Sequence, residues 1–319
     1  MEVIAAYILD VLIGDPQGYP HPVRIIGKLI TFLYNRLQKF AVDSKKEKIA
    51  GIFLCGFTVC ISFFTVLLAL YTAGLINPIL RIVLSIILIY TCFATKDLQR
   101  AGLEVYKELK TGNLDNARKK LSFIVSRNTE NLDVEGVSRG AVETVAESIS
   151  DGIIAPMFYA FIGGAPLVIA YKAASTLDSM VGYKEEKYAN IGYASAKLDD
   201  ILNFIPARIT GILIVIAAFL TGYDFKESFR ILMRDRLKHE SPNSAHGEAA
   251  VAGALNIKLG GLNYYFGKPK IKPTIGDGKY KITPEHIMGS LKLMYVSSIL
   301  GLVVFFIVKQ MIFRGGILR

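Results

Sequence analysis

Residues 50–74 read AGIFLCGFTVCISFFTVLLALYTAG, a run without a single charged residue. At about 1.5 Å of rise per residue a helix of this length reaches across the roughly 30 Å of a bilayer's hydrocarbon core, so the run is a membrane span. A turn at Asn77 and Pro78 follows, and residues 79–95 form a second, shorter apolar run with Arg81 near one end, where its stem lets the guanidinium reach the interface. The two runs read as a transmembrane hairpin.

Further along, residues 291–308 (LKLMYVSSILGLVVFFIV) form another span, with Lys292 at its start and Lys309 just beyond it. Two more apolar runs, 152–174 and 201–222, carry interruptions: Pro156, Gly163, Gly164 and Pro166 in the first, Pro206 and Arg208 in the second. Each suits a simple span or a broken, re-entrant segment buried in protein. The composition agrees: of 319 residues 52% are hydrophobic and 20% charged, and the mean hydropathy is +0.40. A soluble domain carries fewer apolar residues than this. The expected fold is all-α, a multi-pass integral membrane protein of one domain over residues 1–319, with about three to five membrane segments and long cytoplasmic helical connections.

The net charge of +10 does not mark a nucleic-acid binder, because the basic residues flank apolar runs rather than forming a recognisable binding module. The bilayer and anionic substrates account for them better. Segments 15–49 and 96–151 hold seven and nine Lys plus Arg residues, against only Arg81 near the hairpin's short connection, which places both segments in the cytoplasm. The start, Met1 and Glu2 with Asp10 interrupting the first apolar stretch, lacks the basic region of a cleavable signal. Cys55, Cys60 and Cys92 all fall in apolar runs and read as structural. Residues 25–40 place Ile26, Leu29, Ile30, Leu33, Leu37 and Phe40 at helical spacing, a face for either an anionic membrane surface or the rest of the protein.

Polar residues gather in four clusters. GDPQGYPHPVRIIG, 14–27, holds Asp15, His21 and Arg24 in a loop stiffened by proline and glycine. In RNTENLDVEGVSRGAVETVAESISDGIIAP, 127–156, Arg139, Glu143, Glu147 and Asp151 recur every four residues along one helical face. Arg139 with Glu143 reads as a solvated ion pair. Glu147 and Asp151 stand at the entry to an apolar run, where carboxylates are costly unless paired, protonated or holding a cation, and a Mg²⁺ or polar-site role is favoured. The third cluster, 171–200, contains Lys172 and Asp178 beside apolar sequence, a surface portion at Lys184–Lys187, and Asp199 and Asp200. These last two point about 100° apart on a helix, with Arg208 a candidate partner for Asp200. The fourth, SPNSAHGEAAVAGAL, 241–255, suggests a helix capped by Ser241 or Asn243, with His246 and Glu248 in its first turns and free amides for an anion. LGG at 259–261 and KPTIGD at 272–277 follow. No Walker A loop, nucleophile elbow, dinucleotide fingerprint or paired C-x-x-C is present, and the four histidines are too scattered to indicate zinc.

Taken in order over nearly the whole chain, these four motif regions resemble the CobD/CbiB family of membrane adenosylcobinamide-phosphate synthases of cobalamin biosynthesis. The resemblance implies an acid–amine ligase that joins adenosylcobyric acid, a corrinoid, to aminopropanol or aminopropanol phosphate, with ATP as cosubstrate and Mg²⁺. A carboxylate is amidated only after its oxygen becomes a leaving group, so an acyl phosphate is the expected route. On this expectation Glu147 and Asp151 bind Mg²⁺, and Arg24, Arg127 and Arg139 hold phosphates. His21 or His246 handles protons, with Glu143 and Asp178 as further catalytic candidates. Asp15, Lys172, Asp200, Arg208, Asn243 and Glu248 complete the substrate-binding set. ATP is cytoplasmic, so the active site is expected to face the cytoplasm from the cell membrane, and a broken or re-entrant run is preferred over two simple crossings. The alternative is a corrinoid or metabolite transporter whose intramembrane charges line a pathway; a homo-oligomer is left open.

Overall fold

A computed structural model describes residues 1–15, 21–40, 43–182, 189–265 and 267–314. Among these, five segments are long and apolar enough to cross a membrane: Ser44–Ile76, Pro78–Lys110, Val134–Val181, Tyr193–Thr221 and Glu285–Ile312. They coincide with the three firm and two interrupted runs read above, and the fold is that of a helical multi-pass membrane protein. The portion around Lys184–Lys187 lies outside the described residues. The chain divides into two compact units, one of Met1–Ala94, Ala155–Asn203 and Val308–Arg319, the other of Thr95–Ile154 and Phe204–Ile307.

In the first unit α1 (Glu2–Ile13), α2 (Pro22–Leu37), α3 (Ser44–Ile76), α4 (Pro78–Tyr90) and α8 (Ala155–Val181) pack together. One residue builds the hairpin turn. Asn77 closes α3 with its amide on the Ala73 carbonyl, then caps α4 by accepting from the Ile79 amide at 2.7 Å, with Pro78 at the first helical position where no N–H is needed. The second apolar run keeps its helix only to Tyr90 before a turn leads to α5 (Thr95–Lys110). The amphipathic stretch settles on the protein, since Ile26, Ile30 and Tyr34 are buried and α2 packs on α3 and α8. Phe40, expected on that face, is exposed. Inside α8, Gly163 (φ −132°, ψ 17°) and Gly164 (φ 64°, ψ −155°) leave the helical region, and Pro166 follows. Positive φ at Gly164 is strained for any residue with a Cβ, so the two glycines write the break into this segment. Pro206, by contrast, sits inside α9 (Tyr193–Thr221) without interrupting it.

The second unit gathers α5, α6 (Leu114–Ser122), α7 (Val134–Ile149), the π-helical turn Ser150–Ile154, α10 (Phe225–Asp235), α11 (Ala245–Ala254) and most of α12 (Glu285–Arg314). Every residue of α11 is buried. Its small side chains permit this: a methyl on Gly253 would overlap the Glu227 carbonyl of α10, and Ser228 donates to the Ala250 carbonyl at 2.8 Å. The sequence reading lacked one element, an antiparallel hairpin of β1 (Leu259–Tyr265) and β2 (Lys268–Ile275). Its register shifts between Leu259 and Gly261, where Gly260 and Gly261 hold φ of 81° and 87°. At its far end the Gly276 amide donates to the buried Asp235 carboxylate at 2.9 Å, which also receives Arg234 and Lys238.

Candidate active site

The second unit holds a buried cluster of charges drawn from α7, α11, the hairpin and the loops beside them. Arg127 donates to the Glu143 carboxylate and, at 2.7 Å, to Asn263 Oδ1 on β1. The bulge at Gly260 turns that residue's amide onto the other Glu143 oxygen at 2.7 Å, while Arg139 Nε stands 4.0 Å away. Glu143 is 2% exposed, so the solvated Arg139–Glu143 pair read from the sequence is instead a buried carboxylate whose principal cation is Arg127. Arg139 reaches across to the Leu262 carbonyl at 3.4 Å.

One turn further along α7, Glu147 lies within electrostatic reach of Lys272 and Glu143 and of Glu248. The Glu248 side chain is 1% exposed with Oε1 lacking any hydrogen bond. Burial, and then the neighbouring Glu143 and Glu147 charges, push its carboxyl well above the usual carboxylate range, so it tends to hold its proton. Lys272 is disfavoured as a cation by burial, but Glu248 and Glu147 outweigh that and raise its pKa. His239 Nδ1 lies 3.0 Å from Ser244 Oγ and 3.7 Å from Glu248 Oε1. Burial, followed by Lys272, lowers the His239 pKa to about 4, which leaves the imidazole neutral.

Beside this group, His246 Nδ1 is 3.2 Å from the Asn243 carbonyl, an acceptor that can only receive a proton. Nε2 therefore carries the lone pair, and it is buried without a partner. Burial and Arg208 lower this pKa to about 4 as well. Arg208 donates to the Phe204 carbonyl at 2.6 Å and to Asn243 Oδ1 at 3.3 Å, its guanidinium 3.4 Å from the Phe204 ring centroid. The helix cap falls on Ser244, which makes no side-chain capping bond, rather than on Ser241 or Asn243, and the His246 amide in the first turn donates to the Asn243 carbonyl at 3.1 Å.

The first unit holds the remaining candidates. His21 Nδ1 accepts from the Val23 amide at 3.3 Å and its Nε2 lies 3.2 Å from Asp15 Oδ2. That geometry occupies the lone pair and makes His21 a cap for α2, while Arg24 is exposed. Residues 16–20 of this motif lie outside the described residues. Asp178, Asp199 and Asp200 are within electrostatic reach of one another, with Lys172 near Asp199 and Lys197 3.9 Å from Asp200. Asp199 receives Asn203 at 2.9 Å, Asn203 in turn receives Tyr171 Oη at 2.9 Å, and Tyr171 stacks on Tyr159 at 4.9 Å. Asp199, Asn203, His239, Asn263 and Lys272 were not in the sequence-derived set. Of these, the sequence had marked Asp199 beside Asp200 and the stretch 272–277 that holds Lys272, without giving either a role.

Among the described residues no group of three or more His, Cys, Asp or Glu forms a metal cage. Mg²⁺ asks for less, one or two carboxylates completed by substrate phosphates and water. Glu147 and Asp151, four residues apart across the junction of α7 and the π-helical turn, would be the residues to hold it.

The fold is that of a multi-pass helical membrane protein, with carboxyl groups, cations and neutral imidazoles gathered in one unit. The sequence model described as CobD/Cbib protein matches residues 3–294. The chain is 53% identical over 309 residues to "Cobalamin biosynthesis protein CobD" of Clostridium perfringens (strain 13 / Type A), covering 97% of this chain and 98% of that protein. It is 48% identical to a protein of the same name from Geobacter metallireducens, over 92% of this chain and 91% of that one. It is 46% identical to "Cobalamin biosynthesis protein CbiB" of Salmonella paratyphi B, over 94% of each. The chain belongs to the CobD/CbiB family. No solved structure matches it.

Proposed function

We propose that the protein serves cobalamin biosynthesis as an ATP-dependent acid–amine ligase, joining the free propionate of adenosylcobyric acid to aminopropanol or its phosphate. The observation that carries this reading is the group of Glu248, buried, with Glu147, Lys272 and His239, half-buried, which combines two carboxyl groups, a cation and an uncharged base.

The propionate oxygen attacks the γ-phosphorus of ATP, ADP leaves, and the resulting acyl phosphate loses inorganic phosphate when the amine attacks its carbonyl carbon. Arg127 and Arg139 offset charge around the reacting phosphates, Arg127 as the group that also fixes Glu143. Bound at Glu147 and Asp151, Mg²⁺ would supply charge neutralisation on the phosphates. The attacking amine must shed a proton, and the neutral imidazole of His239 or the lone pair on His246 Nε2 accepts it. Arg208, beside the start of α11, offers a cation for the phosphate of the amine substrate.

The test is product formation by the purified protein in detergent with adenosylcobyric acid, aminopropanol phosphate, ATP and Mg²⁺, and Glu147→Ala in parallel. An ATP-dependent amide lost in the variant supports the ligase. No amide with any amine, together with corrinoid uptake into vesicles, replaces it with a transporter.

A further inference from the structure

Within the second unit α9 ends in a tight reversal. Its last residue is Thr221, Gly222 holds φ of 78°, and the Tyr223 amide donates back to the Ala218 carbonyl at 2.9 Å. Asp224 then caps α10 by accepting from the Glu227 amide at 3.0 Å. So α10 runs back along α9, and a methyl on Gly211 would overlap the Leu232 side chain. Each helix leaves an apolar stripe uncovered. Ile212, Ile216 and Phe219 line one, Phe225, Phe229 and Met233 the other, all 38–62% exposed. The Phe219 and Phe225 rings meet edge to face at 5.2 Å where the stripes join. Ile212 follows the contact residue Gly211, and Met233 follows Leu232. Each stripe is thus turned about 100° from the contact in the same sense, which for antiparallel helices is the same side of the pair.

Charge is layered around α10 as well. Lys226, Arg230 and Arg234 each follow a stripe residue by one position and are exposed. Beyond them stand carboxylates: Glu227 and Asp277 receive Arg230, and Asp277 receives Arg234 at 2.6 Å. Acyl carbon, phosphate and water succeed one another in that order across a bilayer surface. A helix that crosses a bilayer meets water only at its ends, whereas α10 presents a cation at every turn, so it lies parallel to the surface. The apolar character of α9 does not require a crossing either, because Ala207, Leu213, Ile214 and Ala218 are buried in protein behind its exposed stripe. Arg208 stands midway along α9 and bonds to the Phe204 carbonyl and Asn243, with no ion pair among the described residues. A crossing would leave that guanidinium near the bilayer centre, where it is costly.

We infer that residues 204–221 of α9 and the whole of α10 lie flat in the interfacial layer of the bilayer. Their stripes sit among the acyl carbons, and Lys226, Arg230 and Arg234 meet lipid phosphates. The second interrupted apolar run is then a surface-lying segment. The inference does not rest on the ligase reading.

Nitroxide depth measurements on the full chain test it, in vesicles of phosphatidylethanolamine and phosphatidylglycerol, by collision with oxygen and with a water-soluble nickel chelate. Labels go on Ile205→Cys, Ile212→Cys, Ile216→Cys and Phe219→Cys of α9 and on Phe229→Cys and Met233→Cys of α10, all exposed positions. The expected result is one shallow depth for all six, about 5–10 Å into the headgroup–acyl boundary, with Arg230→Cys among the headgroups. Residues 205 and 219 are about 21 Å apart along a helix, so depths that change steadily between them, or pass through the bilayer centre, show a crossing and overturn the inference. Free access of the nickel chelate to residues 229 and 233 overturns it in favour of a face in water. Protection of these positions from both reagents overturns it in favour of a face covered by a second copy of the chain.

Discussion

Gly247 of α11 crosses Ala146 of α7 so closely that a methyl group built on the glycine would overlap the Ala146 carbonyl oxygen. The next residue on each helix is a carboxylate of the cluster, Glu147 on one and Glu248 on the other, so the crossing sets their separation. Gly247→Ala forces the helices apart and is expected to cost about 1–3 kcal/mol, as overpacking does elsewhere. In Gly56→Ala, where a Cβ meets nothing within 4 Å, helix propensity alone acts and the change is neutral or stabilising by up to about 1 kcal/mol. Thermal unfolding of both variants in detergent checks the contrast.

The spans were readable because a long run without charge has one low-energy solution in a bilayer. The four-residue ladder from Arg139 to Asp151 was readable as a helical face for a similar reason, since its period is local. The burial of Glu143 was not, because its partners Arg127 and Gly260 lie 16 and 117 residues away. The β-hairpin was hidden by its own composition: KPKIKPTI, with two prolines and three lysines, reads as a loop. His239 and Lys272 escaped because the approach of their segments to Glu248 and Glu147 is tertiary and leaves no periodicity in either.

The pair Arg127–Glu143 gives a second prediction. Removing one partner leaves the other charge buried, so Arg127→Met and Glu143→Gln are each expected to destabilise by about 3–5 kcal/mol. The double variant should cost less than the sum of the two, and a double-mutant cycle on unfolding free energies measures that coupling. Strict additivity would mean the two charges are independently compensated.

Stability is expected to fall on both sides of a maximum in pH. His239 and His246 titrate near 4 when folded against an ordinary value of 6.5. The unfolded chain therefore takes up their protons first as pH drops from 6.5 to 4, at an order-of-magnitude cost of up to about 3 kcal/mol for each. Glu248 acts in the opposite sense, because its raised pKa favours the folded state below 4.5 and that contribution disappears as pH rises through the folded value. Unfolding midpoints across pH 4–9 should show the acid limb flattened in the His239→Gln, His246→Gln double variant and the alkaline limb flattened in Glu248→Gln.

Lys272 is the cation on β2 that faces Glu147 and Glu248, whereas Lys268 and Lys270 are exposed on the same strand. If the cluster performs the ligation, Lys272→Met lowers kcat at least tenfold by leaving the carboxylates uncompensated. Lys268→Met and Lys270→Met stay within about twofold. Amide formation under saturating ATP distinguishes this site-specific loss from a general effect of charge on an anionic substrate, which would fall evenly on all three lysines.

Topology is the last expectation and can be tested on the whole protein in cells. Ile76 stands at the α3–α4 turn, 77% exposed, in the stretch poorest in basic residues, so it belongs outside the cytoplasm. Lys279, near the far end of the hairpin and 49% exposed at its side chain, belongs inside if the cluster uses cytoplasmic ATP. The parent thiols interfere little, since Cys55 and Cys92 are buried and only Cys60 is exposed, which Cys60→Ser removes. In that background, a membrane-impermeant maleimide should label Ile76→Cys in intact cells and Lys279→Cys only after permeabilisation. Lys187→Cys carries the sharper question, because residues 175–200 emerge outside if 152–174 crosses simply and remain inside if the break at Gly163–Gly164 turns that segment back. Labelling of Lys187→Cys only after permeabilisation supports the re-entrant path, and labelling in intact cells rules it out.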